Sequence, residues 1–283
     1  MAISPSSSVQ RARLELAARL REIRLDAGLT ARALSARAGW HEAKTSRIES
    51  AKQPVTDSDI HTWCQACNAT EQAADLIAAS RGIDSLYIEW RRLQRTGLRR
   101  LQQSYQLLFE QTKLFRVYCP NVVPGLLQTP AYATALLSAI SVFHGATDDV
   151  QDAVAARISR NRILGTGNRR FAIVIEESVL RYRLGGADTM AGQLGHILHS
   201  MAHRSVSIGV IPLAASSRPM WTLEAFTVFD DARVYVELLS AQVTVTAPTE
   251  VALYLHAYGK LAEIAVYGPQ ARSLIAAAIA DLD

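Results

Sequence analysis

The stretch from Leu29 to Pro54, LTARALSARAGWHEAKTSRIESAKQP, narrows what this chain can fold into more than any other part of it. It predicts two short helices hinged at Gly39. Thr30 is placed to cap the first, its hydroxyl accepting one of the orphan N–H groups that open a helix. Leu34, Ala38 and Ile48 supply an inward stripe, and Ser35 is small enough to let the helices cross closely. Gly39 falls where the chain must turn with φ > 0, which a residue without Cβ adopts at no steric cost. A second helix, here about His41 to Ser50, held across a first by a short turn has the geometry to enter a DNA major groove.

Charge points the same way. Residues 1–52 hold ten Lys/Arg against five Asp/Glu, a local +5, whereas residues 53–100 are balanced and the remainder carries −1. A local basic excess is the electrostatic footprint of a protein that meets phosphates. At 283 residues the chain is long enough for two domains. No apolar run approaches the roughly 18 residues that a membrane helix needs, so no membrane partner is expected. The N-terminal MAISPSSSVQ lacks the cationic start and apolar core of an export signal. Three cysteines do not make a disulfide framework. The expected location is the cytoplasm, in association with the nucleoid.

Apolar spacing extends the pattern on both sides. A helix is predicted from about Val9 to Ala27, with Leu16, Leu20, Ile23 and Ala27 on one face. After Pro54, Thr56 or Ser58 caps a fourth helix that buries Ile60, Trp63, Cys64 and Cys67. A fifth, Glu71 to Ser80, completes an all-α domain of five helices over residues 1–82. Residues 83–112 are expected to form a long connecting helix, roughly Ser85 to Thr112, with Arg91, Arg92, Arg95, Arg99 and Arg100 along one face.

Residues 113–283 read as an α/β domain with a mixed sheet. Strands are predicted at Leu114–Cys119, Phe171–Glu176, Ser205–Ile211, Leu223–Phe229, Val234–Leu239 and Val243–Thr246. Helices fall at Pro130–Ile140, Asp148–Leu164, Asp188–Ala202 and Pro248–Val266, with a last one reaching Leu282. Asp230-Asp231 marks an antiparallel hairpin.

Leu29-Thr30, Gly39 followed by Trp40, and Ser46-Arg47-Ile48-Glu49 together resemble the helix-turn-helix of the xenobiotic-response-element (XRE) regulators, a lambda-repressor-like fold. The sequence departs from that family in three places. Ala31 stands where a phosphate-contacting Gln is usual, Thr45 replaces an aliphatic β-branched residue, and His41-Glu42 replaces a Ser-Gln-like pair. A second resemblance rests on EWRRL (Glu89–Leu93), VPGLLQTP-Y (Val123–Tyr132) and the strand–helix pattern downstream. Together they are similar to the C-terminal domain of actinobacterial WhiJ-like regulators. That resemblance implies control of development or specialised metabolism through a small acidic partner protein encoded nearby. Some such proteins are described as antitoxin-like.

Other constellations carry less. Trp63-Cys64-Gln65-Ala66-Cys67 has the spacing of a redox site, but both cysteines lie on the apolar stripe of a helix, where burial as small hydrophobes is expected. His196, His199 and His203 share a helix face turned to water, without a nearby Cys or carboxylate ligand, so no metal site is expected. Nucleophile-elbow, P-loop, metalloprotease and complete dinucleotide-binding motifs are all absent, and Gly165-Thr166-Gly167 lacks its third glycine. No enzyme and no cofactor are expected. Glu176-Glu177 and Asp230-Asp231 read as solvated acids at strand ends.

The sequence therefore points to a homodimeric DNA-binding transcriptional regulator on double-stranded DNA with an inverted-repeat operator. The DNA-binding set is Thr30, Arg32, His41, Glu42, Lys44, Ser46, Arg47 and Lys52. Among these, His41, Glu42, Lys44 and Arg47 are candidates for base edges, and Arg32, Ser46 and Lys52 for phosphates. Glu42 can instead pair with a basic residue of the protein, and Arg47 with the Glu49 end of the helix. The C-terminal domain admits two readings. One is a dimerising module for a small protein partner; the other is a small-molecule sensor with a pocket lined by Tyr182, Trp221, Phe226 and Tyr235.

Overall fold

The computed structural model describes residues 5–82, 87–89, 98–145, 149–215, 217–239 and 241–282. The chain divides into two compact units, Met1–Leu86 with Val245–Glu250, and Tyr87–Thr244 with Val251–Asp283.

The first unit is helical. Its described helices are α1 (Pro5–Asp26), α2 (Ala31–Ala38), α3 (Glu42–Glu49), α4 (Asp57–Ala66) and α5 (Ala73–Gly82), with one 3₁₀ turn at Thr70–Gln72. Local chemistry sets their ends. Thr30 Oγ1 accepts from Ala33 N at 3.1 Å and opens α2, and Gly39 closes it at φ 67°, ψ 29°. Thr56 and Asp59 form a reciprocal capping box on α4. Leu20, Leu34, Ile48, Ile60 and Trp63 are fully buried between the helices, each aliphatic worth about 1.5–3 kcal/mol of transfer free energy. The indole N–H of Trp63 donates to the Leu20 carbonyl at 2.9 Å, so its polar atom is satisfied inside the core.

The second unit is a seven-stranded mixed sheet. Its strands are β1 (Tyr87–Glu89), β2 (Leu114–Cys119), β3 (Arg170–Glu176), β4 (Val206–Ile211), β5 (Ala225–Phe229), β6 (Arg233–Glu237) and β7 (Ala241–Val245), in the order β1-β7-β6-β5-β2-β3-β4. β2, β3 and β4 run parallel, while β5 is antiparallel to both β2 and β6, and β1 to β7. Phe115 of β2 and Phe171 of β3 stack with ring centres 4.8 Å apart at the middle of the core. The helices are α6 (Leu98–Ser104), α7 (Gln106–Gln111), α8 (Pro130–His144), α9 (Val150–Asn161), α10 (Glu177–Arg181), α11 (Ala187–Ser200), α12 (Pro248–Ile264) and α13 (Gly268–Ala280). Pro248–Glu250, the first turn of α12, is grouped with the first unit. α9 packs on α6 and α8, and α13 packs on α11 and β4. The expected mixed α/β class is therefore what the chain adopts.

Three sequence expectations need correction. Tyr87–Glu89 is a strand, and α6 and α7 are separate helices broken at Tyr105, so no single helix runs from Ser85 to Thr112. Residues 83–86 and 90–97 of that prediction, including Arg91, Arg92 and Arg95, lie outside the described residues. Glu176 and Glu177 are not solvated. Glu176 accepts from Tyr118 at 2.8 Å and takes a two-pronged contact from Arg218 at 2.6 and 2.9 Å. Glu177 accepts from Arg181 at 3.1 Å and from Leu213 N at 2.9 Å. Asp230, at φ 52°, turns its carboxylate onto the N–H groups of Lys113 and Leu114 at 3.1 and 2.9 Å and ties the hairpin to β2.

Gly209 of β4 sits beneath the Tyr267 ring, where an added Cβ would lie 2.7 Å from two ring carbons and 3.0 Å from Ala265 Cβ. Overpacking of this kind costs about 1–3 kcal/mol. Gly209→Ala should lower the denaturant midpoint of the second unit accordingly, and an unchanged midpoint would show that Tyr267 moves aside freely.

Candidate functional site

Helix α3 is held by two sets of contacts on its inner side. The Arg24 guanidinium of α1 donates to both oxygens of Glu49, at 2.6 and 3.2 Å, and to the Leu29 carbonyl at 2.6 Å. Both side chains are shielded, at 8% and 14% exposure, so the pair works at low local dielectric. Between α2 and α3, the hydroxyls of Ser35 and Thr45 meet at 2.6 Å, both fully buried. That bond gives the buried Thr45 hydroxyl its partner. Burial therefore leaves neither group unpaired.

The outer face is open. His41 is the N-cap of α3, its Nδ1 accepting from Ala43 N at 3.2 Å. Glu42 lies beside Arg32 at 3.2 Å, both exposed, so these two predicted DNA residues form a salt bridge across the turn. Ser46 is exposed, and its carbonyl rather than its hydroxyl is engaged, by Ser50 Oγ at 2.8 Å. Arg47 is exposed and donates from Nε to Gln53 at 3.1 Å; it does not pair with Glu49, which Arg24 occupies. Lys52 is exposed beyond the helix, and the Thr30 hydroxyl is used as the α2 cap.

Lys44 is engaged on the inner side. Its ammonium donates to Asp59 at 2.6 Å and lies 4.2 Å from the centre of the Trp40 ring. Burial would raise the Asp59 pKa, but bonds from Lys44 and from the backbone and hydroxyl of Thr56 outweigh it and hold the carboxyl below its usual value. Lys44 is thus paired within the unit and partly exposed, at 27%. Arg24 and Asp59 were not singled out from the sequence, and Glu49 only as the end of the α3 motif, because each acts with a partner distant along the chain.

Cys64 and Cys67 are buried, and burial pushes the Cys64 thiol up to about 11 and the Cys67 thiol up as well. A redox pair needs the opposite shift. His199 and His203 stand with ring centres 5.8 Å apart. Desolvation lowers the His196 pKa, and the other two histidines add to it. No group of three or more His, Cys, Asp or Glu among the described residues is arranged to hold a metal ion. No described helix is long and apolar enough to cross a membrane.

The second unit contains a cavity of about 460 Å³ between α6, α7, α9 and the β5–β6 side of the sheet. Two of the four aromatics expected to line a pocket, Phe226 and Tyr235, do so. Tyr182 and Trp221 are instead exposed at the surface, at 65% and 71%. The VPGLLQTP segment forms part of the cavity rim, and buried polar groups cradle its backbone. Gln128 donates to the Val123 carbonyl at 2.7 Å, Gln193 bridges Leu127 O and Thr129 N at 2.7 and 2.8 Å, and Asn161 reaches Gly125 O at 3.0 Å.

Residues 106–277 match a family described as a domain of unknown function (DUF5753), which covers more than half of the chain. The chain belongs to that family. Residues 15–77 match a second family, described as a helix-turn-helix domain, over the helices that position α3. No curated protein and no solved structure matches the chain.

The Arg24–Glu49 pair makes a direct prediction. Glu49→Gln leaves the Arg24 charge buried and should cost about 3 kcal/mol in denaturant unfolding. Adding Arg24→Met should recover much of that loss, whereas strictly additive losses would show that the two side chains are not coupled.

Proposed function

We propose that the chain is a sequence-specific transcriptional regulator that binds double-stranded DNA as a homodimer, with α3 as the helix entering the major groove. The helix-turn-helix match gives the class: a DNA-binding regulator. The observation that carries the docking is the two-sidedness of α3. Thr45 and Ile48 are buried and Glu49 is clamped, while His41, Glu42, Ser46 and Arg47 face outward together.

In this reading Arg47 reads a base edge, its guanidinium suited to guanine O6 and N7, and Glu42 accepts from cytosine N4. Arg32, Ser46 and Lys52 face phosphates. Thr30 contributes through the α2 cap, and Lys44 supports the helix from behind. An eight-residue helix is about 12 Å long, enough for roughly three or four base pairs. That is too short a word for a unique site, which favours a two-fold dimer on an inverted repeat with half-sites about one helical turn apart. For the control of DNA binding, the WhiJ-like resemblance supports a small acidic protein partner. The cavity of the second unit supports a small molecule.

Binding to specific and random duplexes over a salt series tests the docking. Lys52→Ala should reduce the log–log salt slope by about 0.9 on both duplexes. Lys44→Ala should leave the slope unchanged and lower stability instead. Arg47→Ala should remove about 1–3 kcal/mol of the preference for the specific duplex. An Arg47 variant that keeps its full preference, or a Lys52 variant with an unaltered slope, overturns this orientation of α3.

A further inference from the structure

The cavity carries a polar arrangement that the protein leaves incomplete. Arg157 and Arg160 project from successive turns of α9, and Glu237 closes β6 on the facing wall. Arg160 is engaged through both Nη, with its buried Nε left without an acceptor among the described residues. It donates to the Gln102 carbonyl at 2.9 Å and to Gln102 Oε1 at 3.0 Å, and it lies over the rings of Phe109 and Tyr105, at 4.7 and 5.4 Å. Arg157 is only half committed. Its Nε donates to Gln102 Oε1 at 3.2 Å and one Nη donates to Gln128 Oε1 at 2.6 Å, while its other Nη has no acceptor among the described residues.

Glu237 is less satisfied still. Neither of its oxygens accepts a hydrogen bond among the described residues, and no basic nitrogen lies within the 4.0 Å of an ion pair. Its side chain stands at the open edge of the cavity wall, exposed to water on one side. Desolvation raises its pKa, against the pull of Arg157 and Arg160. Desolvation likewise lowers Arg157, and it pushes Arg160 down to about 10. Arg157 and Glu237 thus line one cavity with hydrogen-bonding capacity that the protein does not use, and a bound group carrying both charges would use it.

The rest of the wall is apolar and aromatic. Tyr105, Phe109, Phe226, Phe229 and Tyr235 contribute rings from α7, from the residue before it, and from the two strands of the hairpin. Tyr105 is fixed by a 2.7 Å bond to Gln242 and by packing on Tyr235 at 6.0 Å. The volume is that of a small-ligand site.

We infer that this cavity binds a small aromatic molecule whose head carries an anion and an ammonium side by side, the chemistry of an aromatic α-amino acid. The carboxylate takes the free Nη of Arg157, the ammonium takes Glu237, and the ring lies among Tyr105, Phe109 and Tyr235. A ligand with the anion alone leaves Glu237 unpaired and brings a second negative charge towards it. A ligand with the amine alone leaves Arg157 unpaired. Both heads are needed, and the preference for both is the signature of the site.

Isothermal titration calorimetry on the full chain with three indoles tests this: tryptophan, indole-3-propionate, which lacks the amine, and tryptamine, which lacks the carboxylate. Tryptophan should bind at least about tenfold more tightly than either, the worth of one charged hydrogen bond. Glu237→Gln breaks no bond within the protein and should make tryptophan and indole-3-propionate equal. Arg157→Gln should abolish the advantage of tryptophan over tryptamine. Because that change also removes support from Gln102 and Gln128, its melting temperature is to be matched first, and Glu237→Gln decides the matter if it cannot be. Binding of none of the three, or tighter binding of a single-headed indole, overturns the assignment. The calorimeter reads the cavity directly, so failure of the α3 docking would leave this result untouched.

Discussion

The Arg24 guanidinium has been taken out of water, and among the described residues only Glu49 and the Leu29 carbonyl receive it. Each contact fixes a different part of the first unit. Leu29 opens the stretch that leads into α2, and Glu49 is the last residue of α3. A buried ion pair gains little net stability over an apolar pair of the same shape, but it tolerates only one geometry. Its effect here is positional, because α3 cannot roll or slide without stranding a charge. The Ser35–Thr45 bond and the Lys44–Asp59 pair act in the same sense along the other side of the helix. The three polar contacts lie on the inner side of α3 and leave His41, Glu42, Ser46 and Arg47 exposed on the other.

The second unit uses the same obligation differently. Arg218 and Arg181 find carboxylates at the end of β3 and the start of α10, and those pairs close the sheet end. Arg160 gives both Nη to Gln102 and its face to two aromatic rings, leaving only Nε without an acceptor among the described residues. Arg157 and Glu237 are the pair for which the protein supplies no complete solution. A charge arrangement that is complete where it shapes the fold and incomplete where it faces a cavity is a mark of a site rather than of a strut.

Much of this was legible because it is local. Thr30, Gly39 and Thr56 act on neighbours within a few residues, so capping chemistry placed the ends of α2 and α4 directly. The strands β2 to β7 announced themselves as short apolar or β-branched runs bounded by turns. Tyr87–Glu89 did not. Leu86, Trp90 and Leu93 carry a helical spacing, and what overrides it at Tyr87–Glu89 is pairing with Ala241–Val243, far along the chain. The pairing of Lys44 was illegible for a related reason. Its position on α3 suggests a DNA contact, and only the approach of α4 brings Asp59 within reach. The cavity aromatics were half legible, since strand periodicity gives the face a residue takes but not whether a helix covers that face.

Arg32 and Glu42 arrive at the proposed interface already bound to each other in the open. When a phosphate takes over Arg32, a condensed cation leaves the nucleic acid, but the carboxylate set free beside that phosphate attracts a cation in return. The exchange is nearly neutral in ions. This arginine can therefore orient the protein on the duplex while adding almost nothing to its sensitivity to ionic strength, an anchor largely insulated from changes in the surrounding electrolyte.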